Sequence, residues 1–147
     1  NLWEVFQSLG ALKKDSVLPI EEVQKLKCLT CNPFKDKICQ LFASSDDGFT
    51  FEDFLDMCSV FSKQATFEVK ARVMFHVFDK DDDGQLSEED VTALISRLVD
   101  KYMTASTKRN VKDISIPAAA AKVFEECDID GNKKISLNEF KTLCENL

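Results

Sequence analysis

The chain has 147 residues and a formal net charge of -7, which suits one compact domain or two small lobes. The sign of that charge argues against nucleic acid as a ligand, because binding phosphates needs an excess of Lys and Arg. Hydrophobic residues make up 44% of it and include 12 Phe, against four Gly and three Pro; packed helices are expected, rather than disorder or a turn-rich β fold.

Helix signals recur along the chain with short polar breaks. Residues 2–9 and 20–29 are the first two candidates, with Pro19 just ahead of the second. Asn32 and Pro33 form an N-cap with Pro at the first helical position, opening a helix that runs to Phe42. Its Phe34, Ile38, Leu41 and Phe42 share one face at helical spacing. Thr50 with Asp53 resembles a capping box, with Asp in place of the usual Glu, ahead of a helix that carries Phe51, Phe54, Leu55, Cys58 and Phe61. Thr66 opens a helix that ends near Phe78, and another carries Val91, Leu94, Ile95 and Leu98. Residues 100–115 are polar enough for a linker. A helix over 118–127 and a last one with Leu137, Phe140 and Leu143 follow, the latter behind a Ser136–Glu139 capping box. About eight helices in four helix–loop–helix units result.

Two of the connecting loops carry chemistry. Residues 79–90 read DKDDDGQLSEED. Ca²⁺ is a hard cation that takes six to eight oxygens, and a 12-residue loop supplies them from positions 1, 3, 5, 7, 9 and 12. Those positions fall on Asp79, Asp81, Asp83, the Gln85 carbonyl, Ser87 (through a water) and Asp90. Gly84 at position 6 permits the sharp turn, and Leu86 at position 8 is placed to pair with a neighbouring loop. Residues 128–139 read DIDGNKKISLNE and offer Asp128, Asp130, Asn132, the Lys134 carbonyl, Ser136 and Glu139. Each is the pattern of a calcium-binding EF-hand loop, so two Ca²⁺ sites are expected.

The two loops depart from the ideal in different ways. Position 12 of the first is Asp90, one methylene shorter than Glu, which weakens bidentate contact and favours tolerance of six-coordinate Mg²⁺. Position 6 of the second is Lys133, where a left-handed backbone costs roughly 1–2 kcal/mol. The loop over 42–53 looks inactive, because its position 1 is Phe42; Asp46, Asp47 and Gly48 give only a polar turn. The segment over 9–19 has a lone Asp15 and no ligand spacing. The expected architecture is therefore all-α, with four EF-hand units in two pairs joined by short β contacts between paired loops. Residues 1–62 form a non-binding pair and 63–147 a Ca²⁺-binding pair.

Other chemistry is scarce. Cys39 and Cys58 lie in apolar helical patterns and read as reduced core thiols, and Cys28 with Cys31 as incidental free thiols lacking the partners a redox or zinc site needs. His76, the one histidine, has no visible catalytic partner. No nucleophile–base set is present, so catalysis is not expected. No apolar run has the length of a membrane span and no signal peptide is recognised. The chain begins at Asn1 rather than Met, so an N-terminal lipidation signal would lie outside it.

The run from Asn32 to Phe42 (NPFKDKICQLF), followed by that from Phe51 to Ser62 (FEDFLDMCSVFS), resembles the calcium- and integrin-binding, or calmyrin, family. Inactive first and second hands and an Asp at position 12 of the third also resemble it. The likeness covers roughly residues 19–143. It implies a cytoplasmic adaptor that binds Ca²⁺ or Mg²⁺ at the third and fourth hands. Such adaptors grip amphipathic helical segments, such as integrin α-subunit cytoplasmic tails, in an apolar groove. Several members are myristoylated or serve sensory transduction channels; membrane association here would rest on an N-terminal lipid of that kind. The sequence departs from the family at Lys133 and in ending at Leu147, ahead of the C-terminal extension that members carry. Two other readings stay open: a regulatory subunit of an enzyme, as calcineurin B is for a phosphatase, and a Ca²⁺ buffer.

Overall fold

The computed structural model describes residues 1–45, 48–103 and 115–145. The described residues are all-helical: α1 Leu2–Ser8, α2 Ile20–Val23, α3 Lys27–Thr30, α4 Lys35–Phe42, α5 Phe51–Val60, α6 Phe67–Phe78, α7 Glu88–Tyr102, α8 Ile116–Cys127 and α9 Leu137–Glu145. None of them is long and apolar enough to cross a membrane. The chain divides into two compact units, Asn1–Lys70 and Ala71–Leu147. This boundary falls just inside α6 rather than at the 62/63 break that the helix pattern suggests, because Ala71 and Phe75 of that helix pack into the second unit's core.

Both units use the same device to join two loops. In the first, Leu18 and Phe49 exchange backbone hydrogen bonds of 2.8 Å in each direction. In the second, Leu86 and Ile135 do so at 2.9 Å each way. All four side chains are buried, so each bridge fixes backbone register and anchors a core at one point. These are the short β contacts expected between paired loops, present as single bridges.

In the first unit α1 packs on α5 through rings: Trp3 meets Phe51 edge-on at 5.1 Å, and Phe6 lies 5.3 Å from both Phe51 and Phe54. The second unit's core gathers Ala71, Phe75, Leu86, Val91, Ala120, Cys127, Ile135 and Phe140. Phe140 joins α9 to α6 there, edge-on to Phe75 at 5.7 Å and to Phe78 at 6.0 Å. Removing a buried ring of this kind costs about 3–5 kcal/mol.

Four local expectations need correction. The single helix over 20–29 is two short ones, because Leu26 adopts an extended backbone (φ -54°, ψ 134°). Val23 and Leu29 are both buried, and at 3.6 residues per turn six residues point about 240° apart on one straight helix; the break brings both inward. The helix ending at Phe42 starts at Lys35 rather than at Pro33: Asn32 Oδ1 accepts from the Phe34 N–H at 2.8 Å, so Asn32 caps a turn ahead of the helix. Leu41 leaves the shared face and is exposed, while Cys39 takes a core place. The segment read as a linker over 100–115 begins as helix, since α7 continues to Tyr102; residues 104–114 lie outside the described residues.

Candidate metal centres

The loop over 79–90 runs between α6 and α7, and three of its acids converge. Carboxylate oxygens of Asp79, Asp81 and Asp83 all lie within 4.8 Å of one another. Asp79 is fully buried, and its carboxylate accepts the N–H of Gly84 at 2.9 Å and of Asp83 at 3.3 Å. Those two bonds curl the loop around the acid. Asp90 is held elsewhere. Its Oδ2 accepts from the N–H and hydroxyl of Ser87 at 2.8 and 2.6 Å, and its Oδ1 from the Lys80 N–H at 3.1 Å. Ser87 caps α7 in a complete capping box with Asp90, so position 9 is tied to position 12 rather than turned into the cluster.

The loop over 128–139 joins α8 to α9. Here the converging group is Asp128, Asp130 and Glu139. Glu139 repeats the arrangement of Asp90: Oε2 accepts from the N–H and hydroxyl of Ser136 at 2.8 and 2.7 Å, and Oε1 from the Ile129 N–H at 2.9 Å. Those bonds, the Ser136 backbone first, hold the Glu139 carboxyl below the usual carboxylate range. The extra methylene lets Glu139 serve the cap and still reach the group, which the shorter Asp90 does not. Asn132 is bound within the loop, donating from its side chain to Asp130 at 2.9 Å and accepting the Lys134 N–H at 2.7 Å.

Each loop contains two left-handed residues, at positions 4 and 6. In the first they are Asp82 (φ 55°) and Gly84 (φ 79°); in the second, Gly131 (φ 71°) and Lys133 (φ 62°). The strain expected at Lys133 is present. The matching strain at Asp82, at position 4, was not legible in the sequence, because the loop pattern marks only position 6 as the turn. Each loop spends its one glycine on a different turn.

Sequence reading also missed the link between the loops. Lys134 Nζ lies 2.7 Å from Asp83 Oδ2. Its hydrogen bond holds the Asp83 carboxyl below the usual range and raises the Lys134 ammonium in return.

The loop over 42–53 is closed by side chains. Asp53 Oδ2 accepts from the Ser44 hydroxyl at 3.0 Å and from the Thr50 N–H at 2.8 Å, and Thr50 returns the cap to the Asp53 N–H. Burial pushes the Asp53 carboxyl upward, but the bonds from Thr50 and Ser44 outweigh it and leave it below its ordinary value. Asp46 and Asp47 of that turn lie outside the described residues. All six cysteines are free; Cys28 and Cys31 are exposed, Cys39 is buried and Cys58 partly so. Burial pushes the Cys39 thiol up to about 11, which keeps it protonated at neutral pH. His76 is exposed and touches the Phe75 ring edge-on.

Residues 68–145 match the family model of the EF-hand domain pair, so the second unit, with its two bridged acidic loops between helices, defines the chain as an EF-hand protein. Among curated proteins it is similar to calcium and integrin-binding family member 2 of Drosophila melanogaster, with 34% identity over 84% of this chain and 62% of that protein. The Mus musculus protein of the same name is 31% identical over 86% of this chain and 64% of its own length. The one from Ovis aries is 30% identical over 86% and 68%. The chain belongs to the calcium and integrin-binding family. It spans less than two thirds of the length of the first two of these relatives.

Proposed function

We propose that this chain is a Ca²⁺- and Mg²⁺-binding sensor-adaptor. Its loops over 79–90 and 128–139 each hold one divalent cation, and its cation-loaded form binds an amphipathic helical segment of a partner protein. The observation that carries the reading is the pair of carboxylate triads, each drawn within 4.8 Å, on two loops bridged at Leu86 and Ile135. Carboxylates held this close repel one another, and a divalent cation between them relieves that repulsion. The donor set of Asp79, Asp81, Asp83, Gln85, Ser87 and Asp90, and that of Asp128, Asp130, Asn132, Lys134, Ser136 and Glu139, supply oxygen alone. Such sets suit Ca²⁺ or Mg²⁺ rather than the thiophilic metals. When bound, the ion supplies a fixed double positive charge at the centre of each loop.

The residues then act as follows. Asp79 and Asp128, at the ends of α6 and α8, fix the entering side of each loop. Asp90 and Glu139, in the first turns of α7 and α9, tie each exiting helix to the loop through one carboxylate. A change in that carboxylate's position is a change in helix angle, which is how such a pair opens an apolar surface. A partner helix would present anchors at i, i+3 or i+4, and i+7, as an integrin-like cytoplasmic tail can. Glu139 reaches its triad and Asp90 does not, so the loop over 79–90 is the one that accepts Mg²⁺. The first unit serves as scaffold, its Ser44–Asp53 bond doing for the loop over 42–53 what a cation does elsewhere. The protein works in the cytoplasm without catalysis of its own, with membrane contact through a lipid anchor or a membrane-protein tail.

The test is binding of an apolar dye and of an integrin-tail-like amphipathic peptide, with Ca²⁺ and with chelator. Both should rise with Ca²⁺. Flat dye binding would contradict the sensor and leave a buffer. Ca²⁺-dependent capture of a catalytic subunit, with no peptide binding, would favour the regulatory-subunit reading.

A further inference from the structure

The ion pair between Lys134 and Asp83 joins residues 51 positions apart, one in each acidic loop. It is an exposed pair whose two ends are held by the backbone around them. The Lys134 backbone is fixed on both sides, by its N–H bond to Asn132 Oδ1 at 2.7 Å and by the Ile135 bridge that follows. Asp83 is equally committed: Oδ1 accepts the Gln85 N–H at 2.8 Å, and Oδ2 takes the ammonium. Both oxygens of a triad carboxylate are thus engaged within the protein. Asp81 and Asp90 also act on the same ammonium.

Charge explains why the cation comes from the neighbouring loop. Residues 79–90 contain seven acids and one Lys, whereas residues 128–139 contain three acids and two Lys. The first loop is crowded with negative charge and the second has cations to lend. Opposite charges a few ångströms apart stabilise one another, and an added positive charge beside a cation site weakens it.

We propose that Lys134 is an internal counter-cation for the loop over 79–90. It neutralises Asp83 in the metal-free protein, is displaced when that loop fills, and so lets one loop set the affinity of the other. In this role Lys134 is a positioning residue acting through Asp83. The proposal rests on the reading that the loop over 79–90 holds a divalent cation.

The test is a Ca²⁺ titration of the full chain followed by amide NMR, with Gly84 reporting one loop and Gly131 the other. In Lys134→Gln the Gly84 midpoint should fall about threefold, the scale of an exposed ion pair, and further than the Gly131 midpoint. Lys134→Arg keeps the charge and should restore the wild-type midpoint. Protection of the Leu86 and Ile135 amides should be the same in all three, since the bridge is backbone. A Gly84 midpoint that stays or rises in Lys134→Gln, an equal fall at Gly131, or an Arg variant that behaves like Gln would overturn the proposal. A wild-type Gly84 amide indifferent to Ca²⁺ would instead overturn the underlying site.

Discussion

Lys133 and Asp82 sit on backbone that suits glycine, with φ of 62° and 55°. Asp enters this region more readily than most residues, whereas Lys bears the full steric cost. Lys133→Gly should therefore stabilise the metal-free protein by about 1 kcal/mol, the steric relief less glycine's larger unfolded-state entropy. Asp82→Gly should gain less. Urea denaturation of both variants checks the order, and equal effects would contradict it. At position 12, Asp90→Glu should raise the ratio of Ca²⁺ to Mg²⁺ affinity severalfold by calorimetry, since Glu139 shows what the extra methylene reaches. An unchanged ratio would sink the explanation. The acids that converge, Asp79, Asp81 and Asp83 in one loop and Asp128, Asp130 and Glu139 in the other, were legible in the sequence, because spacing within twelve residues is a local property. The Lys134–Asp83 pair was not, because nothing in either loop alone says which side chain faces its neighbour.

At the scale of elements, the loops are held by caps and bridges. Gly48 has φ 134°, and a Cβ there would lie 2.1 Å from the Leu18 carbonyl oxygen, against backbone that cannot yield. Gly48→Ala should destabilise the first unit by at least about 2 kcal/mol. A thermal melt within a degree of wild type would refute the close approach. Asp53 joins the α5 cap to Ser44, with its carboxyl below the ordinary 3.8. A carboxylate depressed by folding stabilises above its ordinary value, and that contribution fades as pH falls through the lower folded value. Asp53→Asn should thus cost about 1 kcal/mol near neutral pH and progressively less below pH 3.8. A penalty independent of pH would place the effect in packing instead. Capping signals such as Thr50–Asp53 could be read from the sequence. The break at Leu26 could not, because it answers a tertiary demand, the joint burial of Val23 and Leu29.

On the scale of the whole molecule, one plan is used twice with different outcomes. Both units bridge two loops through buried residues at one point. One closes a loop with Ser44 and Asp53; the other gathers three carboxylates in each of its two acidic loops. Calorimetric titration of the full chain with Ca²⁺, beside Asp79→Ala, Asp128→Ala and the double variant, measures that difference directly. The account predicts two ions bound per chain, one lost in each single variant and none bound by the double. Binding that survives in the double variant, or its absence in the wild type, would contradict it.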